Sequence, residues 1–233
     1  MDLRQILKDE AGYMVFEKLI PEKLIDSAVE KFTDLYPVRA SSSKKRYAER
    51  DKIKELEDIS VWWSQLVGER EEVKAIQTYV DDYASQILKD PVMYASDVVF
   101  IEANSAWVNP HVDTPYRFNK WNFDQELLGI QSIVSLSDIG KDNAATGLVP
   151  FSQKKDFPIM MCYGGYYDHF FKKNHIQPEM PKGSLLIYNS RVLHSSMPNP
   201  RDTRRPALLF NYVERCIIDE LKLVDNIWNS NGK

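Results

Sequence analysis

Two short segments far apart in the chain carry residue types that do chemistry together. His111-Val112-Asp113 places an imidazole and a carboxylate two positions apart, and His194 closes the run Arg191-Val192-Leu193-His194-Ser195-Ser196. Two imidazoles and one carboxylate form the ligand set of a mononuclear non-haem iron(II) site with positions left open for substrate and oxygen. Arg205 follows, and its planar guanidinium is suited to clamping a dicarboxylate co-substrate through paired hydrogen bonds.

For these side chains to converge, the elements carrying them must present one face. Residues i and i+2 of a strand share a side, so His111 and Asp113, at the end of the strand that runs through Ile101, can both reach inward while Val112 points away. His194 lies just past the run 184–189, in position for a neighbouring strand. Arg205 shares parity with Ala207, Leu209 and Asn211, and Arg204 with Leu208, Phe210 and Tyr212. The less bulky set faces inward, and a buried arginine is costly unless it meets an anion.

Strand candidates run over 97–108, 129–137, 184–189 and 207–214, where β-branched and aromatic runs are separated by Asn-Pro, Gly-Lys-Asp and Pro-Lys-Gly. Long helices do not alternate with these runs, so an antiparallel sandwich or barrel is expected rather than a doubly wound parallel sheet. The first ninety residues are mostly helical. Pro21 opens a helix reaching about Leu35, and Val73, Ile76, Val80, Tyr83 and Ile87 recur at helical spacing between Glu69 and Lys89. The polar run 40–46, with Lys44, Lys45 and Arg46, is an exposed connector.

Composition sets limits on function. The chain has 233 residues, 43% hydrophobic and 27% charged, enough for a single domain. Its formal charge of −4 offers no global basic field, which disfavours nucleic acid as partner. Two cysteines, Cys162 and Cys216, make neither a disulfide framework nor a thiolate site. A reducing, cytoplasmic setting is expected. The opening residues are too acidic for a secretory signal, and no apolar run is long enough to span a bilayer.

The segments NPHVDTPY at 109–116, DNAATGLVPFSQKKD at 142–156 and KGSLLIYNSRVLHSSMPNPRDTRRPALLFNYVE at 182–214 resemble those of the iron(II)- and 2-oxoglutarate-dependent dioxygenases of the phytanoyl-CoA dioxygenase type. Gly12 to Ile25 is similar to the opening strand and helix of that family. The resemblance implies an α+β, mainly β fold: a double-stranded β-helix, or jelly-roll and cupin-like, core over 91–215, with helices of 1–90 packed on one sheet and a C-terminal tail over 216–233. It implies that His111, Asp113 and His194 are iron ligands and that Arg205, Ser196 and Gln131 contact 2-oxoglutarate. The cofactors implied are Fe(II), 2-oxoglutarate and O2, and the reaction is hydroxylation of a small or carrier-linked substrate with release of succinate and CO2. Phe151, Gln153 and Ser184 depart from the family pattern at positions that shape turns and the pocket rim.

Other residues have plainer expectations. His169 and His175 belong to a loop or rim, Arg201 and Arg204 to the surface, Trp62, Trp63 and Tyr212 to packing. Arg117 and Lys120, in the aromatic segment 114–123, could hold an anionic substrate under a lid. A cupin-like metal enzyme that does not use 2-oxoglutarate would not need Arg205. A nucleic-acid or nucleotide hydroxylase of the same fold would need Lys44, Lys45, Arg46, Arg117 and Lys120 on one surface near the pocket.

Overall fold

A computed structural model of the chain describes residues 2–35, 61–65, 70–105, 110–118, 121, 126–155 and 166–231. In chain order these form α1 (Leu3–Asp9), β1 (Tyr13–Phe16), α2 (Glu22–Leu35), β2 (Val61–Gln65), α3 (Glu71–Ile87), β3 (Pro91–Ile101), β4 (Gly129–Ser135), β5 (Thr146–Leu148), α4 (Tyr166–Asn174), β6 (Leu185–Asn189), β7 (His194–Ser196), β8 (Arg205–Glu214) and α5 (Ile218–Asn231).

The strands make two sheets. The major sheet has six strands in the order β1-β6-β4-β8-β3-β2, and each pair is antiparallel. The minor sheet pairs β5 with β7, and isolated bridges extend it, His111 with His194 on one side and Leu148 with Ile176 on the other. Antiparallel sheets facing each other with strands that cross between them form the jelly roll.

Alternation along the strands divides the core in two. Val98, Phe100, Ile130, Val134, Leu185, Ile187, Leu208 and Phe210 face the helices and pack with Leu7, Ile25, Phe32, Val73, Ile76, Val80 and Ile87. Val99, Ile101, Ile133, Leu186, Tyr188, Ala207 and Leu209 face the minor sheet and pack with Ala144, Ala145, Leu148 and Val192. Full burial of each large aliphatic side chain contributes about 1.5–3 kcal/mol, and both faces of the sheet are buried in this way. The helix α3 lays its apolar stripe on the outer layer, with Glu71 and Glu72 in its first turn favouring the helix dipole. At the start of the chain Asp2 caps α1 by accepting from the Gln5 N–H at 3.1 Å.

Gly183 sits at φ +81° in the turn before β6, and a Cβ there would lie 2.6 Å from the Ile20 carbonyl oxygen. Only glycine fits this turn without strain, and the Ile20 N–H donates to the Gly183 carbonyl at 2.9 Å.

Several expectations are corrected. The mostly helical amino-terminal part also contributes β2, which forms one edge of the major sheet, while β1, the opening strand that the resemblance implied, forms the other. The strand expected over 97–108 is offset, running from Pro91 to Ile101, and His111 reaches the minor sheet as a separate bridge. The tail from 216 is the helix α5, preceded by a short 3-10 turn, and its Leu221 is fully buried with Ile217 against Tyr116, Phe118 and Trp121. Trp62 and Trp63 are placed by backbone pairing alone, and Lys44, Lys45, Arg46, Lys120 and Cys162 lie outside the described residues.

Candidate metal centre

Three elements bring the histidines and the aspartate together. His194 opens β7, and His111 exchanges both backbone hydrogen bonds with it, at 2.9 Å from the His111 N–H and 3.0 Å from the His194 N–H. Such a hydrogen-bonded antiparallel pair sets its two side chains side by side, and the ring centroids lie 4.3 Å apart. Asp113, two residues on, is anchored by its own N–H donating to the Ser190 carbonyl at 2.8 Å. One nitrogen or oxygen from each of His111, Asp113 and His194 lies within 4.8 Å of the others.

The orientation of the His194 ring follows from its neighbours. Its Nδ1 lies 3.0 Å from the Val192 carbonyl oxygen, which can only accept, so Nδ1 carries a proton, and its Nε2 faces Asp113 at 3.2 Å. An outer hydrogen bond of this kind orients a metal-ligating imidazole. The His111 Nε2 lies 3.8 Å from the other carboxylate oxygen. Burial pushes the Asp113 carboxyl up, but the charges of His194, His111 and Arg117 and the His194 hydrogen bond outweigh it and hold it at about 2. Burial in turn lowers His194, and Asp113 and the Val192 carbonyl more than reverse that. The Tyr188 hydroxyl donates to Asp113 over a long 3.4 Å, and its ring stands 4.8 Å from that of His194.

Arg205 is buried on the interior face, as strand parity indicates. Its Nη2 donates to the Ala144 carbonyl at 2.6 Å, while Nε has no partner among the described residues. Burial lowers its pKa to about 10, so it remains cationic at neutrality. Ser196 stands two residues beyond His194 on the same face of β7 and pairs in register with Thr146. Gln131 is buried on β4 opposite Asn211 of β8 and Tyr188 of β6, and its Oε1 has no partner among the described residues. The structure therefore gathers His111, Asp113 and His194 into one cluster and puts Arg205 and Gln131 on the sheet face that packs toward it.

The corner from β6 to β7 is heavily tied. Leu193 N–H donates to the Ser152 hydroxyl at 2.8 Å, Arg191 N–H to the Asn189 Oδ1 at 2.9 Å, and Asn189 Nδ2 to the Leu7 carbonyl at 3.2 Å. Gln153 donates from Nε2 to the Glu10 carbonyl at 2.8 Å, and Ser184 accepts from Lys18 N–H at 3.1 Å. Gln153 and Ser184, two of the three departures from the family pattern, thus tie turns in place.

Other candidates fall elsewhere. His169 is exposed on the helix α4, not in a loop, and His175 caps that helix with its ring stacked on Phe171, centroids 4.9 Å apart. Arg201 is exposed and paired with Asp142 at 2.6 Å. Arg204, expected at the surface, is largely covered because Glu102 pairs with it at 2.9 Å and Phe100 stacks 4.0 Å from its guanidinium. The described part of the segment 114–123 packs inward. Tyr116 is fully buried, donating to the Glu126 carbonyl at 2.5 Å and accepting from Leu128 N–H at 2.7 Å.

One residue escaped the sequence reading. Asp97 lies on the interior face of β3, opposite Leu209, and its Oδ1 is buried without a partner among the described residues. Burial, and then the charge of Asp113, push its carboxyl up to about 6. A lone acid opening the β-branched run 97–101, on the parity of Val99 and Ile101, was the signal.

The family profile of phytanoyl-CoA dioxygenase (PhyH) matches residues 8–207. No match was found among curated protein sequences. Among solved structures, the α-ketoglutarate-dependent carbocyclase SnoK of nogalamycin biosynthesis aligns with a TM-score of 0.68 at 15% identity, over 92% of this chain and 84% of that one. The α-ketoglutarate-dependent epimerase SnoN of the same biosynthesis aligns with a TM-score of 0.67 at 15% identity, over 91% and 80%. SnoN in complex with Fe3+, α-ketoglutarate and nogalamycin RO aligns with a TM-score of 0.65 at 14% identity, over 91% and 81%. At such identities these likenesses speak for the jelly-roll fold. With its profile match over most of the chain, this protein belongs to the phytanoyl-CoA dioxygenase family.

Proposed function

We propose that the protein is an Fe(II)- and 2-oxoglutarate-dependent oxygenase that hydroxylates a small or carrier-linked substrate in the cytoplasm. The observation that carries this reading is one cluster of two imidazoles and a carboxylate, with a buried cationic arginine, one N–H unpartnered, on the facing sheet. The residues fit the groups. His111, Asp113 and His194 would hold iron through two neutral nitrogens and one anionic oxygen, the donor set suited to that ion. Arg205 would bind the far carboxylate of 2-oxoglutarate, assisted by Ser196, and Gln131 would donate from its amide.

With iron and 2-oxoglutarate bound, the site gains the chemistry of oxidative decarboxylation, in which dioxygen is consumed, succinate and CO2 are released and a C–H bond is oxidised. The protein's own residues do the positioning. Val192 fixes the His194 ring through its carbonyl. The backbone bridge from His111 to His194 sets the spacing of the imidazoles before any metal arrives. Asp113, ionised at neutrality, supplies the negative charge that draws a divalent cation between the rings. Leu209, Ile133 and Leu186 line the sheet side and keep bulk water from a reactive centre. Arg205 selects a co-substrate by the depth at which its fork meets a carboxylate.

The deciding experiment is anaerobic loading followed by exposure to oxygen, measuring succinate against oxygen consumed. Succinate formed in proportion to oxygen supports the reading. Iron binding with oxygen uptake but no succinate would instead assign a cupin-type metal enzyme without 2-oxoglutarate.

A further inference from the structure

The interior face of the major sheet carries a row of hydrogen-bond acceptors that no other described residue satisfies. Asn211 and Gln131 stand directly opposite each other on β8 and β4. Such pairs bring their Cβ atoms to about 4.5–5.5 Å. Both residues are more than nine-tenths buried, and both amide oxygens lack a partner. Asn211 spends its Nδ2 on the Thr114 carbonyl at 3.3 Å, which turns its oxygen away from that contact. Asp97 stands on β3 opposite Leu209, one diagonal step from Asn211, and its buried Oδ1 is likewise without a partner among the described residues. Diagonal neighbours lie about 7–8 Å apart, close enough for one small group to touch both.

We propose that this wall receives a protonated amine of the substrate, with Asp97 as its counter-ion and Asn211 and Gln131 as flanking acceptors. The inference rests on the oxygenase reading for its setting and adds the substrate class. An ammonium carries three N–H donors, and the wall offers three unpartnered acceptors, one of them anionic. A hydroxyl would satisfy at most one of them and leave the Asp97 charge uncompensated in a poorly solvated place, which is costly. The raised carboxyl of Asp97 is the behaviour of an acid held without a counter-charge. Arg117 also acts electrostatically on Asp113, with its guanidinium 4.8 Å from the Phe118 ring, so an anionic substrate is the competing class.

Calorimetric titration of the intact protein with hexylamine, hexanol and hexanoate, at a pH where the amine is protonated, tests this. The series is run on metal-free protein and on protein loaded anaerobically with Fe(II) and 2-oxoglutarate, whose visible absorption reports loading. Hexylamine is expected to bind at least about tenfold more tightly than either competitor, and Asp97→Asn to lose that preference. Equal binding of the three, preference for hexanoate, no binding by any of them, or an unchanged amine preference in D97N overturns the proposal. The parent series decides the matter even if the variant fails to fold. Failure of the absorption to appear counts against the oxygenase reading alone, because amine selectivity is also read on metal-free protein.

Discussion

His111 and His194 are cross-strand partners that exchange both of their backbone hydrogen bonds, so the two imidazoles of the cluster are spaced by main chain and not by side-chain packing. Substituting either ring leaves the bridge intact. His111→Ala, His194→Ala and Asp113→Ala are each expected to fold and yet to lose Fe(II) affinity. Removing a mere outer partner costs about 10–100-fold, so loss of a direct donor exceeds that. Anaerobic iron titration measures it, and parent-like affinity in any one variant would remove that residue from the ligand set.

Arg205→Ala leaves the His111, Asp113 and His194 cluster untouched and removes the buried cation that we propose binds the co-substrate. Loss of one partner of a buried charge pair costs about 2–5 kcal/mol, so 2-oxoglutarate binding is expected to weaken by that amount while iron binding persists. Arg205→Lys keeps the charge but loses the fork, and restores only part of the affinity. Equilibrium binding of 2-oxoglutarate to the metal-loaded variants decides; affinity equal to the parent's sinks the assignment.

Tyr116→Phe isolates the packing of the segment after the metal motif. The phenol bridges the Glu126 carbonyl and the Leu128 N–H, both of which would be left without it. Leaving buried polar groups unsatisfied costs about 1–3 kcal/mol, to be seen as a lower denaturation midpoint with unchanged slope. An unchanged midpoint would mean that water replaces the hydroxyl and that the segment is looser than described.

Asp97 gives the metal-free protein a pH signature. Its folded value of about 6 stands above the ordinary 3.8 because burial, and then Asp113, disfavour the charged form. The folded state therefore binds more protons at this position than the unfolded chain, and stability falls as pH rises from about 4 through 6. Asp97→Asn carries no such charge, so its stability relative to the parent is expected to improve across that window and to level off above it. Parallel denaturation curves at pH 4 and pH 8 check the sign; a constant difference would contradict it.

Much of this arrangement was legible because strand period two is unambiguous. Parity alone put Arg205 on the interior face with Ala207 and Leu209, and the facing clusters of buried residues follow it. Helical spacing located α3 to within two residues at each end. What sequence could not supply depended on partners distant in the chain. The strand β2 forms by pairing with β3, and α5 gains its buried face from residues distant in sequence, Val112, Tyr116, Phe118 and Trp121 among them. The aromatic run 166–174 has no period-two signal and too short a helical one, so its helix was read as loop. Arg204 looked like surface until Glu102 and Phe100 were seen to enclose it. Asp97 was missed because a single acid within an apolar strand gives no spacing to match.

The hydrogen bonds that run from the β6–β7 corner into the last turn of α1 have a consequence for how the molecule breathes. Asn189 Nδ2 and Gln153 Nε2 donate to carbonyls of Leu7 and Glu10, and the Asn189 N–H donates to Gly12. Amides of α1 and of the corner before His194 therefore belong to one cooperative opening unit, exchanging with solvent deuterium at a common free energy. The first helix of the chain is thus expected to act as a latch on the corner that carries His194, its fraying setting how often that corner opens.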